Sequence, residues 1–226
     1  MAQETKEQPV LDIEAAYDKT ETWIDENKKS LALIVGGVIV LVGVYFLWKY
    51  GYQEPRNEEA SSAMYKAEIW FQKDSFNLCI NGRGDTLGME AVVDEYGGTA
   101  SGNLARYYLG VSYLRTGNFD GAIEALEDFD SDDMFLGAMS LGLLGDAHME
   151  KGEAEEAIEY YLKAANKNPN KFTSPVYLKK AAFAEEDRGN KEEALKLYMQ
   201  IKEQFPESSD AAQIDKYISR TGGSVQ

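Results

Sequence analysis

An apolar stretch from Leu31 to Trp48 constrains this chain more than any other feature. Its eighteen residues carry no charge, twelve of them are Leu, Ile, Val or Phe, and lysines flank it at Lys28, Lys29 and Lys49. As an α-helix it would extend about 27 Å, close to the ~30 Å hydrocarbon thickness of a bilayer. The pattern predicts a transmembrane helix over residues 31–48. A buried core helix is one alternative; a cleaved signal peptide is disfavoured, because thirty residues precede the stretch and no small-x-small cleavage site follows it.

Small residues recur along one side of this predicted helix. Ala32 and Gly36 are four residues apart, and Gly36 and Gly43 are seven apart, so all three fall near one helix face. Side chains this small let another transmembrane helix approach closely, so we expect Ala32, Gly36 and Gly43 to form a membrane-helix contact. An ordinary glycine content without such a contact is the alternative.

Residues 1–30 form a short N-terminal arm before the predicted span. Val10, Ile13, Tyr17 and Ile24 recur near helical spacing, with acidic residues on the other face. This pattern predicts an amphipathic helix that lies under the membrane or against a partner. Basic residues before the span outnumber those just after it three to two, and this margin of one charge favours a cytoplasmic N-terminus.

The region after the span, residues 51–226, is strongly acidic. It carries a net charge of −13, out of −16 for the whole chain, and contains no cluster of Lys or Arg. Such a surface repels nucleic acid and anionic lipid headgroups, so we expect no nucleic-acid partner. Residues 49–56 are predicted to be a linker, and the length of residues 57–226 suits one domain.

From residue 102 onward the sequence repeats itself. The pairs Leu109-Gly110 and Leu144-Gly145 are 35 residues apart, and a third copy carries Ala181-Ala182 in the same place. The other matching positions are Tyr113 and His148; Gly117, Gly152 and Gly189; Ala122, Ala157 and Ala194; Tyr161 and Tyr198; and Pro169 and Pro206. A period of about 35 residues indicates stacked supersecondary units.

This pattern resembles the tetratricopeptide repeat, a helical hairpin of about 34 residues whose small residues let two helices cross closely. The resemblance implies an all-α fold: a single N-terminal transmembrane helix followed by a tetratricopeptide-repeat α-solenoid with a C-terminal capping helix. The first hairpin is expected to be divergent, because Asn81, Gly82 and Gly84 interrupt it within residues 77–86. We expect that insertion to be mobile or bound to a partner. The predicted boundaries are residues 57–99, 102–134, 138–170 and 175–207 for the hairpins and 208–220 for the cap.

Residue types that support catalysis or metal binding are scarce. The chain has one histidine and one cysteine and no phosphate-binding loop, so we expect no enzyme activity, no cofactor and no metal site. His148 replaces Tyr113 in the repeat pattern, and we expect it to pack between helices. We expect Cys79 to be a small half-buried filler rather than a reactive thiol. The Asp-rich run over residues 128–133 lacks the glycine and glutamate of a calcium loop, and is expected to be a turn that caps a helix starting near Met134.

The concave wall of such a solenoid is built from the first helices of the hairpins, and we expect function to reside there. Its residues mix aromatic, Met and charged side chains, which suits an extended peptide or a partner's helix. Tyr107, Val111 and Leu143 stand where carboxylate-binding repeats need Lys or Asn, so a C-terminal carboxylate is not the expected ligand. The predicted groove residues are Tyr107, Val111, Met139, Asp146, Met149, Lys179, Lys180 and Phe183.

A more specific resemblance joins the arm, the span and the repeat region. The arm ends in Trp23-Ile24-x-Glu26-Asn27-x-Lys29-x-Leu31, the span closes in Trp48-Lys49-Tyr50, and the domain contains Val93-Asp94-Glu95-Tyr96-Gly97-Gly98-Thr99. Over residues 20–208 this pattern resembles the YfgM-like family of bacterial inner-membrane proteins, in the version found in Bacteroidetes-type bacteria. The resemblance implies a cytoplasmic N-terminus, a periplasmic repeat domain, and association with the SecYEG translocon and a PpiD-like membrane-anchored chaperone.

The sequence therefore favours a membrane-anchored adaptor, an ancillary subunit of the Sec translocon that links unfolded or translocating polypeptides to periplasmic chaperones. Two alternatives stay open. One is a structural scaffold subunit of another envelope assembly or secretion complex. The other is a cytosol-facing repeat receptor with the opposite topology.

Overall fold

The computed structural model describes residues 13–223, with side chains from Thr20 onward. Every regular element in this part of the chain is a helix, and strand-like pairing is limited to an isolated bridge between Arg83 and Thr86. The chain forms two compact units, with the division between Pro55 and Arg56. Residues 1–12 of the predicted arm and residues 224–226 lie outside the described residues.

The first unit contains one long helix, α1 (Ile13–Trp48), and a π-helical turn over Lys49–Gln53. It includes an apolar segment that is long enough to span a membrane, and none of that segment is buried. Leu33 and Leu47, for example, are 77% and 76% exposed. The apolar stretch is therefore not a core helix of the described protein.

The expected break between the arm and the span is absent. Residues 13–30 form the start of α1 rather than a separate helix, because neither Gly nor Pro occurs there to interrupt it. Residues 49–56, predicted to be a linker, are also helical, and the next helix begins at Glu54. Pro55 has no N–H to donate to the carbonyl four residues earlier, and the wider π-turn ahead of it accommodates the proline ring.

The second unit is a succession of packed helices. It starts with α2 (Glu54–Gln72), whose first two residues precede the unit boundary, followed by α3 (Phe76–Asn81) and α4 (Met89–Tyr96). Three helical hairpins follow. Their helices are α5 (Ala100–Thr116) and α6 (Phe119–Glu127), α7 (Leu136–Lys151) and α8 (Ala154–Lys167), and α9 (Ser174–Asp187) and α10 (Lys191–Gln204). Each helix of the hairpins packs against the next, which gives the all-α solenoid that the repeat pattern predicts.

Glycines at two repeated positions explain how the hairpins close. Gly117, Gly152 and Gly189 follow the first helices with φ of 81°, 80° and 85°, a left-handed conformation that other residues rarely adopt. Gly145 has a different role, because a Cβ atom there would lie 2.5 Å from the ring of Tyr161. The absence of a side chain at Gly145 lets α7 and α8 cross closely.

The repeated alanines form the buried centre of the solenoid. Ala122, Ala157 and Ala194 are all fully buried, as their spacing predicts. Large side chains such as Leu178 and Tyr198 pack with Ala157 and Ala194 in a core cluster that extends from α7 to the C-terminal cap. A second cluster joins α2 to α6.

The predicted insertion, residues 77–86, contributes to the core. Its first half belongs to α3, where Cys79 and Ile80 are buried in the same cluster as Met64. The Cys79 thiol lies 3.3 Å from Ser112 Oγ, and burial raises the pKa of the thiol. The expectation of a mobile or partner-bound insertion is therefore wrong for this half, while Cys79 is a filler that is more buried than expected.

The C-terminal cap is shorter than the single helix predicted over residues 208–220. Ala211–Gln213 form a 3₁₀ turn, and α11 covers Ile214–Arg220. The backbone N–H of Ala211 donates to the Ser208 hydroxyl over 3.1 Å, and this side-chain turn competes with an earlier helix start. The two isoleucines of α11 are buried against the last hairpin, so the segment covers the end of the core.

Candidate partner-binding groove

A concave pocket of about 690 Å³ lies along the first helices of the three hairpins, α5, α7 and α9. This volume is within the range of pockets that bind ligands. Much of its wall is apolar. The larger apolar side chains are Val111, Leu114, Phe119, Leu143, Met149 and Phe183.

Five of the eight predicted groove residues line this pocket. They are Val111, Asp146, Met149, Lys180 and Phe183. These residues come from three hairpins, so the pocket forms only when the hairpins are stacked. Whether the pocket binds a partner remains a prediction.

Lys179 lies away from the pocket. Its ammonium forms an ion pair with Asp210, just before the C-terminal cap. Lys179 and Lys180 are adjacent on α9, and adjacent helical side chains point about 100° apart. Only Lys180 therefore faces the pocket, and the prediction of both lysines in one groove conflicts with helix geometry.

Tyr107 and Met139 lie nearer the beginnings of α5 and α7. The Tyr107 ring is half-buried, with its centroid 5.4 Å from that of Phe129, and burial raises the pKa of Tyr107. Met139 is 38% exposed in the first turn of α7. Neither residue lines the pocket.

A polar network at the pocket joins three helices. Lys180 Nζ donates to both carboxylate oxygens of Asp146, over 2.6 and 2.7 Å, and the Tyr161 hydroxyl donates to Asp146 Oδ1 over 2.7 Å. Burial, followed by this hydrogen bond, raises the pKa of Tyr161, so the phenol remains a proton donor. The network cross-links α7, α8 and α9, and it uses the Lys180 and Asp146 charges within the chain.

Two other carboxylates of the pocket do not take part in such a network. Glu150 and Asp187 are exposed at the C-terminal ends of α7 and α9, and neither forms an ion pair with any residue between 20 and 223. Arg115, the remaining charged residue, places its guanidinium 5.3 Å from the centre of the Phe76 ring. With three carboxylates and two cations, the pocket carries a small excess of negative charge.

Sequence reasoning missed several of these residues although a signal was present. Arg115 is four residues after Val111, Glu150 four after Asp146, and Asp187 four after Phe183. Positions four apart share a helix face, so each missed residue could have been found by extending the predicted face by one turn.

The other residues whose side chains could bind a metal or transfer a proton have structural roles. The His148 ring stacks on Tyr160 with centroids 5.1 Å apart, and its Nδ1 lies 2.7 Å from Glu153 Oε2. Asp133 Oδ1 accepts hydrogen bonds from the backbone N–H groups of Phe135 and Leu136 at the start of α7, each over 2.8 Å, and these bonds lower the pKa of the Asp133 carboxyl. The expected helix-packing and capping roles are thus confirmed. No three His, Cys, Asp or Glu side chains gather into a metal-binding group in the part of the chain that the structure describes.

Comparison with known proteins identifies the repeats. Residues 89–134, 138–171 and 176–208 each match a model of the tetratricopeptide repeat family, and no curated protein matches the chain. Two solved structures of a putative kinesin light chain from Podosopora anserina, with nearly identical TPR-like repeats, are similar in fold. One, a point variant, has 18% identity and a TM-score of 0.54 over 73% of this chain and 85% of its own. The other has 17% identity and a TM-score of 0.53 over 73% and 86%.

The matched segments follow one another with gaps of only a few residues. They include nearly all of the three hairpins that line the pocket, and the first of them also includes α4. The repeats indicate a protein–protein interaction adaptor, and no catalytic family is indicated. The chain is a tetratricopeptide repeat protein with an N-terminal helix long and apolar enough to span a membrane.

Proposed function

We propose that this protein is a membrane-anchored adaptor whose groove binds a segment of a protein partner. The pocket carries the proposal: three hairpins supply its apolar wall, and Glu150 and Asp187 lack ion-pair partners among the described residues. An apolar wall is complemented by apolar side chains, and free carboxylates by Lys or Arg. The ligand is therefore a segment that combines apolar residues with at least one basic residue.

Removing the two free charges is expected to weaken binding. The variant Glu150→Gln/Asp187→Asn should bind a synthetic Leu/Lys peptide about two- to thirtyfold more weakly, since exposed ion pairs contribute about 0.2–1 kcal/mol each. Fluorescence anisotropy of a labelled peptide, with the full chain in zwitterionic nanodiscs, measures the change. The loss should shrink as salt is added, because ions screen exposed charges.

The matched control neutralises two acids elsewhere. Glu156 and Glu192 are exposed on the second helices α8 and α10 and do not line the pocket, so Glu156→Gln/Glu192→Gln should leave the affinity unchanged. Equal losses in both double variants would show that only the overall charge of the domain attracts the peptide. The groove would then lose its support as the binding site.

More specifically, we propose that this protein is an ancillary subunit of the Sec translocon and links emerging polypeptides to periplasmic chaperones. The resemblance of the span and the repeat region to the YfgM-like family supports this proposal. So does the apolar helix, where a Cβ at Gly36 or Gly43 would meet nothing within 4 Å, which leaves room for a partner helix. In this proposal the N-terminus is cytoplasmic, the repeat domain is periplasmic, and the partners are SecYEG, a PpiD-like chaperone and unfolded chains.

Photo-cross-linking in native membranes tests the translocon proposal. A photoreactive residue at Gly36 or Gly43 should capture a transmembrane helix of the translocon or of a chaperone, identified by mass spectrometry. The same residue at Ile34, on the opposite helix face, should yield mainly lipid adducts. Two results together would favour the scaffold alternative. They are lipid adducts at Gly36, Gly43 and Ile34 alike, and capture of outer-membrane machinery by a photoreactive residue at Val111 in the groove. Protection of the repeat domain from protease in spheroplasts would favour the cytosol-facing receptor.

A further inference from the structure

Large apolar side chains are exposed on the second unit at one place in particular. Five large apolar side chains are exposed among residues 56–223, and Tyr65 is the one of them that lies away from this place. The other four lie in or beside the connections that lead into α7 and α9, and they are Met134, Phe135, Met139 and Phe172. Scattered exposed apolar residues are ordinary, but a group at one site marks an interaction surface.

Three of these side chains form a continuous patch, which we call the apolar edge: Phe135, Met139 and Phe172. The rings of Phe135 and Phe172 lie 6.3 Å apart, edge to face, across two successive hairpins. The N–H of Met139 donates to the carbonyl of Phe135 over 2.8 Å, so Met139 follows Phe135 by one helical turn. Phe172 is 65% exposed, so this ring pairs at the surface and does not fill the core.

The apolar edge lies next to the pocket on α7. Met139 lies in the first turn of α7 and the pocket residue Leu143 follows it by one helical turn, whereas the pocket residue Glu150 lies near the end of the helix, about 16 Å from Met139 along the axis at 1.5 Å per residue. None of the three residues of the apolar edge lines the pocket. A ligand at the edge therefore contacts residues that the pocket does not supply.

Carboxylates flank the apolar edge. Asp130 and Asp132 are exposed and form no ion pair with the described residues, and Asp133 caps α7. Lys171 lies 5.9 Å from the centre of the Phe172 ring and is paired with Glu207 over 3.1 Å. Lys167 is exposed beside Gly137 and forms no ion pair with the described residues, so the three aspartates still leave an excess of negative charge. An apolar patch beside free carboxylates complements a segment whose apolar side chains are bordered by Lys or Arg.

We propose that the apolar edge docks a basic amphipathic segment of a protein partner. Two other occupants fit the charges less well. Anionic lipid headgroups are repelled by the aspartates. A second copy of this chain, related by a two-fold axis, would bring two sets of the same aspartates together.

Site-specific photo-cross-linking tests the proposal with the full chain in zwitterionic nanodiscs. The photoreactive residue p-benzoylphenylalanine replaces Phe172 or, as a control, Tyr65, which is 63% exposed on α2. The probes are a Leu/Lys amphipathic peptide and a Leu/Glu peptide of the same length and pattern. Position 172 should give about tenfold more adduct with the Leu/Lys peptide than with the Leu/Glu peptide, and more than position 65 gives with either.

Two variants separate this surface from the groove. Asp130→Asn/Asp132→Asn should lower the adduct at position 172 about fivefold, whereas Glu150→Gln/Asp187→Asn should leave it unchanged. Equal adducts with both peptides, or equal adducts at positions 65 and 172, would overturn the proposal. So would adducts mainly with lipid when anionic nanodiscs are used, or mainly with a second copy of the chain.

Discussion

Replacing Ala157 with tryptophan is expected to destabilise the repeat domain by about 3 kcal/mol, because overpacking a well-filled core forces backbone and side chains out of place. Ala157 is fully buried on α8. The helices are already in close contact there, since a Cβ at Gly145 of α7 would lie 3.1 Å from the Ala157 carbonyl oxygen. An indole at position 157 can be accommodated only if α7 and α8 separate.

Thermal unfolding of the full chain in detergent, followed by circular dichroism, measures the effect. A loss of about 3 kcal/mol lowers Tm by about 6–12 °C for a domain of this size. The control is Glu156→Trp, which places the same side chain at the adjacent, exposed position of α8. If both variants melt within a degree of the unmodified protein, the assignment of Ala157 to the helix crossing is wrong.

The repeated part of the chain could be predicted because its determinants are local. Each glycine that ends a first helix needs a left-handed φ, and each fully buried alanine marks a helix crossing, so Gly152 and Ala157 identify one hairpin without knowledge of the others. The same reasoning found the three helices that line the pocket. It also placed Lys179 beside Lys180 in the groove, whereas adjacent helical residues point about 100° apart and Lys179 pairs with Asp210 in the structure.

The parts that could not be predicted depend on contacts between distant residues. Asn81, Gly82 and Gly84 indicated a loop, yet α3 extends to Asn81, and its residue Cys79 contacts Ser112, which is 33 residues away in the sequence. The apolar edge is a similar case, since Phe135 and Phe172 meet only when two hairpins stack. Periodicity within one helix contains no information about either contact.

Deleting residues 77–86 is expected to unfold the beginning of the solenoid. The deletion removes Cys79 and Ile80, which are 0% and 5% exposed, from the cluster that holds α2 and α4 against α5. Removing one large buried aliphatic side chain typically costs about 2–5 kcal/mol, and total stabilities are only about 5–15 kcal/mol. The loss of a whole core segment is therefore comparable with the stability of the domain.

A point variant distinguishes the effect of losing buried side chains from the effect of shortening the chain. Ile80→Asp keeps the length but places a carboxylate in an apolar site, and should cost about 4 kcal/mol or more. Asn77→Asp adds the same group to an exposed position of α3 and should change the stability little. Limited proteolysis and thermal unfolding of the full chain measure these effects. The protease should rapidly cleave the deletion variant and Ile80→Asp near α2, and it should not cleave Asn77→Asp there. If the deletion variant melts like the intact protein, residues 77–86 are an insertion outside the core, and the packing of α3 against Met64 and Ser112 does not hold the fold together.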